Sequence, residues 1–69
     1  MENLPIYFKT VSFKDRYGRE HQGYLEPPFS DEDEPLFVEE MLSESSQGYD
    51  ALFFAIEDII SWQYINKSL

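Results

Sequence analysis

The sequence predicts a mainly β domain, and three observations carry that prediction. Residues 5–25 alternate β-branched and aromatic side chains around a turn-forming segment, which indicates a hairpin. Residues 26–35 contain three prolines, which interrupt regular structure. Of the fifteen residues 51–65, eight are aromatic or β-branched, and these residue types favour strands. At 69 residues without cysteine, the chain is expected to be one small domain, residues 1–69, that folds on packing alone.

The predicted hairpin begins the chain. Its first strand is expected over residues 6–13 and its second over residues 21–25. Gly18, at the end of the connecting turn, suits a positive φ. Gly23 in the second strand marks a bend or a close approach of another backbone. Strict alternation would place four residues of the first strand on one face, unless a bulge changes the phase: Tyr7, Lys9, Val11 and Phe13.

The middle of the chain is less regular. Residues 26–35 form an acidic, proline-rich loop in which four adjacent carboxylates repel one another. Leu36–Leu42 could be a short helix entered through Pro35, or a strand. Residues 43–50 read as a turn or loop on either interpretation.

Residues 51–65 decide between two fold classes. On a strand interpretation, residues 51–56 are one strand, Glu57 and Asp58 turn a corner, and Ile60, Trp62 and Tyr64 alternate along a second strand. On a helical interpretation, Asp50 caps a helix with an apolar face. The first interpretation favours a mainly β protein. The second favours an α+β protein, in which one or two helices follow the hairpin. The helical face would consist of Leu52, Ala55, Ile56, Ile59 and Ile60.

A resemblance favours the strands. The segment Phe54-Ala55-Ile56-Glu57-Asp58-Ile59-Ile60-Ser61-Trp62 resembles the last two strands of small SH3-like or Sm-like barrels, with the acidic corner between them. The opening segment, Val11-Ser12-Phe13 through Gly23-Tyr24-Leu25, is similar to the first two strands of the same barrels. The resemblance implies a hairpin that continues into a small SH3-like barrel. It also implies that the protein binds peptides, nucleic acids or sister subunits.

Charge is distributed unevenly along the chain. The first nineteen residues carry four cations and two acids, whereas the remaining fifty carry twelve acids and one lysine, for a net charge of -9. Nucleic-acid backbones and anionic membranes attract clustered cations. The charge therefore makes nucleic acid an unexpected partner and favours a basic protein surface or self-association. No membrane span or signal peptide is expected, which predicts a soluble, cytoplasmic protein.

No group of residues predicts catalysis or a cofactor. His21 is expected on the surface of its strand beside Glu20, and no serine has the spacing of a catalytic nucleophile. The acids at residues 31–34 are adjacent rather than alternating and are not followed by glycine, so they do not match a Ca²⁺ loop. The sequence therefore predicts a protein that is not an enzyme, with no metal site and no cofactor.

The functional hypothesis is a small acidic protein-binding module, encoded by a bacterium, a phage or a mobile element, that docks on a basic surface of a larger protein. Acids would steer the encounter and aromatic residues would supply affinity. Two alternatives are a nucleic-acid mimic that inhibits a host enzyme and a self-assembling structural protein. The candidate partner-binding residues are Asp31, Glu32, Asp33, Glu34, Glu39, Glu40, Phe37, Trp62 and Tyr64.

Overall fold

The computed structural model describes residues 3–42 and 49–65, with side chains for residues 3–39 and 51–65. Five strands and one 3₁₀ turn, Ile56–Asp58, account for the regular structure of this part of the chain. The strands are β1 (Val11–Asp15), β2 (Glu20–Glu26), β3 (Leu36–Leu42), β4 (Tyr49–Ala55) and β5 (Ile59–Tyr64). The mainly β prediction is confirmed, and the α+β alternative is wrong for both segments on which it depended.

The strands form one antiparallel sheet in the order β4-β3-β2-β1-β5. No pairing joins β4 to β5 among the described residues, so the sheet is open there and these two strands are its edges. β2 changes partner along its length: Glu20 to Gly23 pair with β1, and Tyr24 to Glu26 pair with β3. The change falls at Gly23, where a Cβ atom would collide with the Val38 carbonyl oxygen. The predicted close backbone approach at Gly23 is therefore confirmed.

The predicted turn between β1 and β2 is also confirmed. Gly18 has a φ of 82°, and its N–H donates to the Asp15 carbonyl oxygen at 2.9 Å. The Asp15 side chain organises the same turn, because Oδ1 accepts the N–H groups of Tyr17 and Arg19 at 2.9 and 3.0 Å. An aspartate at the start of a turn satisfies backbone donors that would otherwise need water.

The hydrophobic core lies on one face of the sheet. Phe13 is at its centre, with ring centroids 4.9 Å from Phe37 and 5.5 Å from Phe54. Aromatic rings at these separations add contact energy to the area that they bury. The buried residues of the cluster are Val11, Phe13, Leu25, Phe37 and Ile59, against which Phe54, Ile56 and Trp62 pack.

The first strand is shorter than predicted. β1 begins at Val11, and residues 6–9 instead form a tight turn that the Lys9 N–H closes onto the Ile6 carbonyl oxygen at 3.2 Å. Phe8 has a φ of 65°, which is incompatible with a continuous strand. The strict alternation expected for residues 7–13 is therefore wrong before Val11, because the backbone reverses at Phe8.

The corner between the last two strands matches the strand interpretation of residues 51–65. Glu57 and Asp58 lie in the 3₁₀ turn, as expected for the acidic corner. The alternation predicted along β5 is wrong at Ile60, which is exposed, whereas Ile59 is buried. The pairing of β1 with β5 shifts register between Lys14 and Asp15, so a bulge places Ile59 opposite Asp15 and leaves Ile60 outside.

Candidate functional site

The His21 side chain lies between two carboxylates and against aromatic rings of the core. Its Nε2 is 2.9 Å from Asp15 Oδ2 and its Nδ1 is 3.0 Å from Glu39 Oε1. The exposed fractions of these three side chains are only 14, 9 and 18 % for His21, Asp15 and Glu39. The ring also contacts Phe54 and Phe13 at centroid distances of 4.6 and 5.5 Å. We call Asp15, His21 and Glu39 the histidine cluster.

The histidine cluster links three strands and the β1–β2 turn. Asp15 ends β1, His21 lies on β2 and Glu39 lies on β3. A histidine can donate a hydrogen bond from both ring nitrogens only when it is protonated. Because each nitrogen faces a carboxylate oxygen, the imidazolium form makes both contacts as donated, charge-assisted bonds.

The environment shifts the pKa of two members in opposite directions. Burial lowers the pKa of His21, but its hydrogen bonds to Asp15 and Glu39 and the charges of both acids outweigh burial, so the net shift is upward. The pKa of Asp15 is lowered, first by the hydrogen bond from His21 and then by the N–H groups of Arg19 and Tyr17, against the opposing effect of burial. Both shifts favour the charged form of the pair.

The position of His21 differs from the sequence prediction. It is not on the open surface, because only 14 % of its side chain is exposed, and the carboxylate of the neighbouring Glu20 instead accepts a hydrogen bond from Ser12 Oγ at 2.6 Å. A general base needs a free ring nitrogen within reach of the proton that it removes. Both nitrogens of His21 are occupied by carboxylates and the hydroxyl of Ser12 is bonded elsewhere, so the arrangement is that of a folding cluster.

The acidic loop presents its carboxylates to solvent. Asp31, Glu32, Asp33 and Glu34 are all exposed. A short turn orders the loop: the Asp33 N–H donates to the Ser30 carbonyl oxygen at 3.1 Å, and Ser30 Oγ donates to Asp33 Oδ2 at the same distance. Within the described side chains, Arg16–Asp58 is the one ion pair between a carboxylate and a lysine or arginine. The loop carboxylates therefore keep their charge uncompensated in that part of the chain.

The remaining candidate partner-binding residues lie in different environments. Phe37 is completely buried in the core and offers no area to a partner in this conformation. Glu39 belongs to the histidine cluster, and the side chain of Glu40 lies outside the described residues. Among the candidates whose side chains are described, only the loop acids combine exposure with uncompensated charge.

Trp62 and Tyr64 of β5 form hydrogen bonds with residues 3–6 of the N-terminal segment. Their rings meet edge to face at a centroid distance of 5.0 Å. Trp62 Nε1 donates to the Asn3 carbonyl oxygen at 2.9 Å, and the Tyr64 hydroxyl accepts the Ile6 N–H at 3.0 Å. Trp62 also packs against the core, while Tyr64 remains partly exposed. Each of these two side chains thus makes a hydrogen bond within the chain.

An open cleft of about 290 Å³ adjoins the histidine cluster, and sequence reasoning did not identify it. Arg16 crosses the cleft to contact Asp58 Oδ1 at 2.8 Å, and both side chains are about half exposed. An ion pair with this much exposure contributes little to stability. No local pattern links these residues, because the 3₁₀ turn meets the β1–β2 turn only in the folded sheet. The lining residues are Asp15, Arg16, Tyr17, Phe54 and Asp58.

The described residues contain neither a metal-binding group nor a membrane-spanning helix. Among the described side chains, residues 3–39 and 51–65, no group of three or more acids and histidines has the arrangement of a metal site. The same residues contain no helix with the length and hydropathy needed to cross a bilayer. Comparison of the chain with protein-family models, curated proteins and solved structures found no match.

Proposed function

We propose that this protein is a non-enzymatic, acidic binding module of the SH3-like barrel type that docks on a basic surface of a larger protein. The observation that carries the proposal is the acidic loop, whose four adjacent carboxylates at residues 31–34 are exposed. None of them pairs with a lysine or arginine among the described side chains. A surface of one sign that is not neutralised internally attracts a partner of the opposite sign.

The topology supports the barrel part of the proposal. β1 to β4 form an antiparallel meander, and β5 returns to pair with the outer side of β1. A 3₁₀ turn separates β4 from β5, as in the barrels that the sequence resembles. β2 pairs with β1 through its first half and with β3 through its second half, and the change of partner falls at Gly23. A glycine inside a strand often marks the tight bend at the corner of a barrel.

An exposed aromatic side chain next to the four acids also supports docking. Phe29, which directly precedes Ser30, is 87 % exposed. Charges set the rate and selectivity of an encounter, whereas buried aromatic contacts supply most of the affinity. An exposed aromatic residue beside four carboxylates combines both contributions on one loop.

The proposal is tested by neutralising the loop and measuring affinity for a basic probe. The test variant carries Asp31→Asn, Glu32→Gln, Asp33→Asn and Glu34→Gln. The control variant exchanges the acids, Asp31→Glu, Glu32→Asp, Asp33→Glu and Glu34→Asp, and so keeps four charges. The probe is a fluorescent nonaarginine peptide, followed by anisotropy at low and high salt.

We expect the neutralised loop to weaken nonaarginine binding by about tenfold or more at low salt, while the exchanged loop binds like the wild type. Binding should also fall as salt increases, since screening shortens the range of exposed charges. Equal binding by the neutralised and wild-type proteins would refute the role of the loop. A nucleic-acid mimic would in addition compete with DNA for a basic DNA-binding protein.

Self-assembly is the alternative that a specific observation favours. Edge strands β4 and β5 are unpaired along their outer sides in the described sheet, and such edges can pair between copies. The mass in solution, measured by light scattering at high concentration and low salt, separates the two proposals. A monomer under those conditions excludes assembly through the edges, whereas a ring or filament would replace the docking module as the main proposal.

A further inference from the structure

The turn at residues 6–9 has an unusual backbone. The Lys9 N–H closes it onto the Ile6 carbonyl oxygen, and its third residue, Phe8, has a φ of 65°. Among the described non-glycine residues, Phe8 is the one with a positive φ. Turns with a positive φ at the third position normally contain glycine or asparagine there, because a Cβ atom makes the conformation strained. We call residues 6–9 the Phe8 turn.

Burial of the side chains does not explain the strain. Ile6, Tyr7 and Phe8 are 62, 46 and 63 % exposed, although two of the three are aromatic and the third is β-branched. The Phe8 ring lies 5.6 Å from the Tyr24 ring, outside the core cluster. For folding alone, glycine at position 8 would serve the turn better. A strained, exposed aromatic residue is a feature that folding does not require, and such features concentrate at binding sites.

The surrounding structure holds the Phe8 turn in place from two sides. The Phe8 N–H donates to the Leu25 carbonyl oxygen of β2 at 2.9 Å. The Ile6 N–H donates to the Tyr64 hydroxyl of β5 at 3.0 Å, and Lys9 Nζ lies 5.5 Å from the Tyr64 ring centroid. A segment that is already ordered loses less entropy when it binds. The turn therefore presents three apolar side chains in a fixed arrangement.

The charges beside the turn indicate the chemistry of its partner. Leu25, which bonds Phe8, lies one residue before the end of β2, where the chain enters the acidic loop. Glu26 follows Leu25 and shares a sheet face with Tyr24, since side chains alternate along a strand. The apolar turn thus contacts β2 at the residue before Glu26, and Glu26 lies five residues before the first of the loop acids, while Lys9 Nζ lies near the Tyr64 ring.

We propose that the Phe8 turn is the hydrophobic anchor of the docking surface, and that its occupant is an apolar patch bordered by lysine and arginine side chains on a partner protein. This inference rests on the proposed function and adds a second, ordered source of apolar contact to the one that Phe29 offers on the loop. Ile6, Tyr7 and Phe8 insert into the apolar patch, while the acidic loop pairs with the basic border. The division between an apolar centre and a charged rim is that of known protein interfaces.

Two peptides distinguish the contribution of apolar contacts to affinity from the contribution of charge. The first is nonaarginine, and the second is an amphipathic helical peptide with nine arginines and an added leucine face. We expect the wild-type protein to bind the leucine-containing peptide about tenfold or more tightly than nonaarginine. In ¹⁵N-resolved spectra, the amides of residues 6–9 should shift with the leucine-containing peptide only.

Variants at position 8 then distinguish anchoring from folding. Phe8→Gly and Phe8→Ala both remove the ring, but only glycine relieves the strain. We expect Phe8→Gly to melt roughly 4–8 °C above Phe8→Ala. Both variants should lose most of the leucine-dependent gain in affinity and keep their binding to nonaarginine. The matched control is Tyr17→Ala, which removes an aromatic ring that is 80 % exposed on another turn and should keep the gain.

The outcomes separate the anchor from the proposed function. If Phe8→Gly binds the leucine-containing peptide like the wild type, the anchor is refuted while docking through charge stands. The same conclusion follows if the wild type binds both peptides equally, or if Tyr17→Ala loses the gain as well. If the wild type binds neither peptide, the proposed function fails together with the anchor.

Discussion

The carboxylates of the histidine cluster and those of the acidic loop have the same chemistry but opposite surroundings. Asp15 and Glu39 are mostly buried and each contacts a nitrogen of His21. The acids at residues 31–34 are exposed and lack a cationic partner among the described side chains. Buried charge needs a partner to offset the loss of water, whereas exposed charge keeps its hydration and its long-range field. The first group therefore belongs to folding, and the second is free to act on other molecules.

The placement of the acids also reduces the electrostatic repulsion that opposes folding of so acidic a chain. The net charge of -9 produces self-repulsion that opposes compaction. Inside the sheet that repulsion is relieved, because His21 stands between two acids of different strands and its raised pKa favours the imidazolium form. Outside, the four loop acids lie together on a segment that projects into solvent, where salt screens them. Three predictions test this division, from the largest effect to the smallest.

The largest effect is expected from removing the cation of the histidine cluster. His21→Phe keeps a ring beside Phe13 and Phe54 but removes the donors that His21 supplies to Asp15 Oδ2 and Glu39 Oε1. Leaving mostly buried polar groups unsatisfied costs enough to lower the melting temperature by about 5–15 °C. Thermal unfolding followed by circular dichroism measures the change.

The control for this variant is Gln22→Ala, which alters the neighbouring exposed side chain of β2. It should melt within a few degrees of the wild type, because substitutions on the exposed face seldom exceed about 0.5 kcal/mol. If His21→Phe is as stable as the wild type, the cluster does not hold the three strands together, and the division between folding charge and docking charge is lost.

A smaller effect is expected from pH. The raised pKa of His21 stabilises the fold below about pH 6.5, and that contribution is lost as the pH rises through the higher value in the folded protein. The lowered pKa of Asp15 stabilises the fold above about pH 4, and that contribution is lost as the pH falls through the lower value in the folded protein. Both contributions are therefore complete between about pH 4 and 6.5.

The difference in melting temperature between the wild type and His21→Phe isolates this effect from the general charge of the chain. The difference should be greatest near pH 5.5 and should shrink toward pH 9. A difference that stays constant over this range would show that His21 contributes by packing with Phe13 and Phe54 rather than through its charge.

The smallest effect on stability is expected from the acidic loop. Neutralising residues 31–34 removes mutual repulsion without removing a buried contact, so the melting temperature should rise by a few degrees at low salt. Added salt should raise the melting temperature of the wild type and should reduce the gain of the neutralised variant. A loss of stability on neutralisation would place these acids in contacts that support the fold.

Local sequence patterns predicted most of the strands. The hairpin turn followed from Gly18 and the polar residues before it, and the acidic corner followed from Glu57 and Asp58 between apolar segments. Local rules failed where the backbone left its expected path. Phe8 adopts a φ that favours glycine, and a bulge between Lys14 and Asp15 exchanges the roles of Ile59 and Ile60. Neither the positive φ of Phe8 nor the bulge can be predicted from composition, because each depends on hydrogen bonds to distant strands.

The sequence could predict part of the histidine cluster. Once the hairpin turn is placed, Phe13 lies opposite His21, and the two residues share a face. A histidine on the face of a buried phenylalanine needs polar partners, so the prediction of an open surface position beside Glu20 is wrong. The sequence could not predict Glu39 as its second partner. Glu39 is eighteen residues away, in a segment that the sequence allowed to be either a helix or a strand.

By itself, the sequence determined the mainly β character of the chain, its hairpin turn and its uneven charge, since each follows from local propensity or composition. Tertiary structure decided which charges are used for folding and which remain available. That choice depends on pairing between strands, which brings Asp15, His21 and Glu39 together and leaves the loop acids apart. It also decided that Phe37 enters the core while Phe8 stays outside, because register and backbone direction, rather than hydrophobicity, determine which side chains the sheet covers.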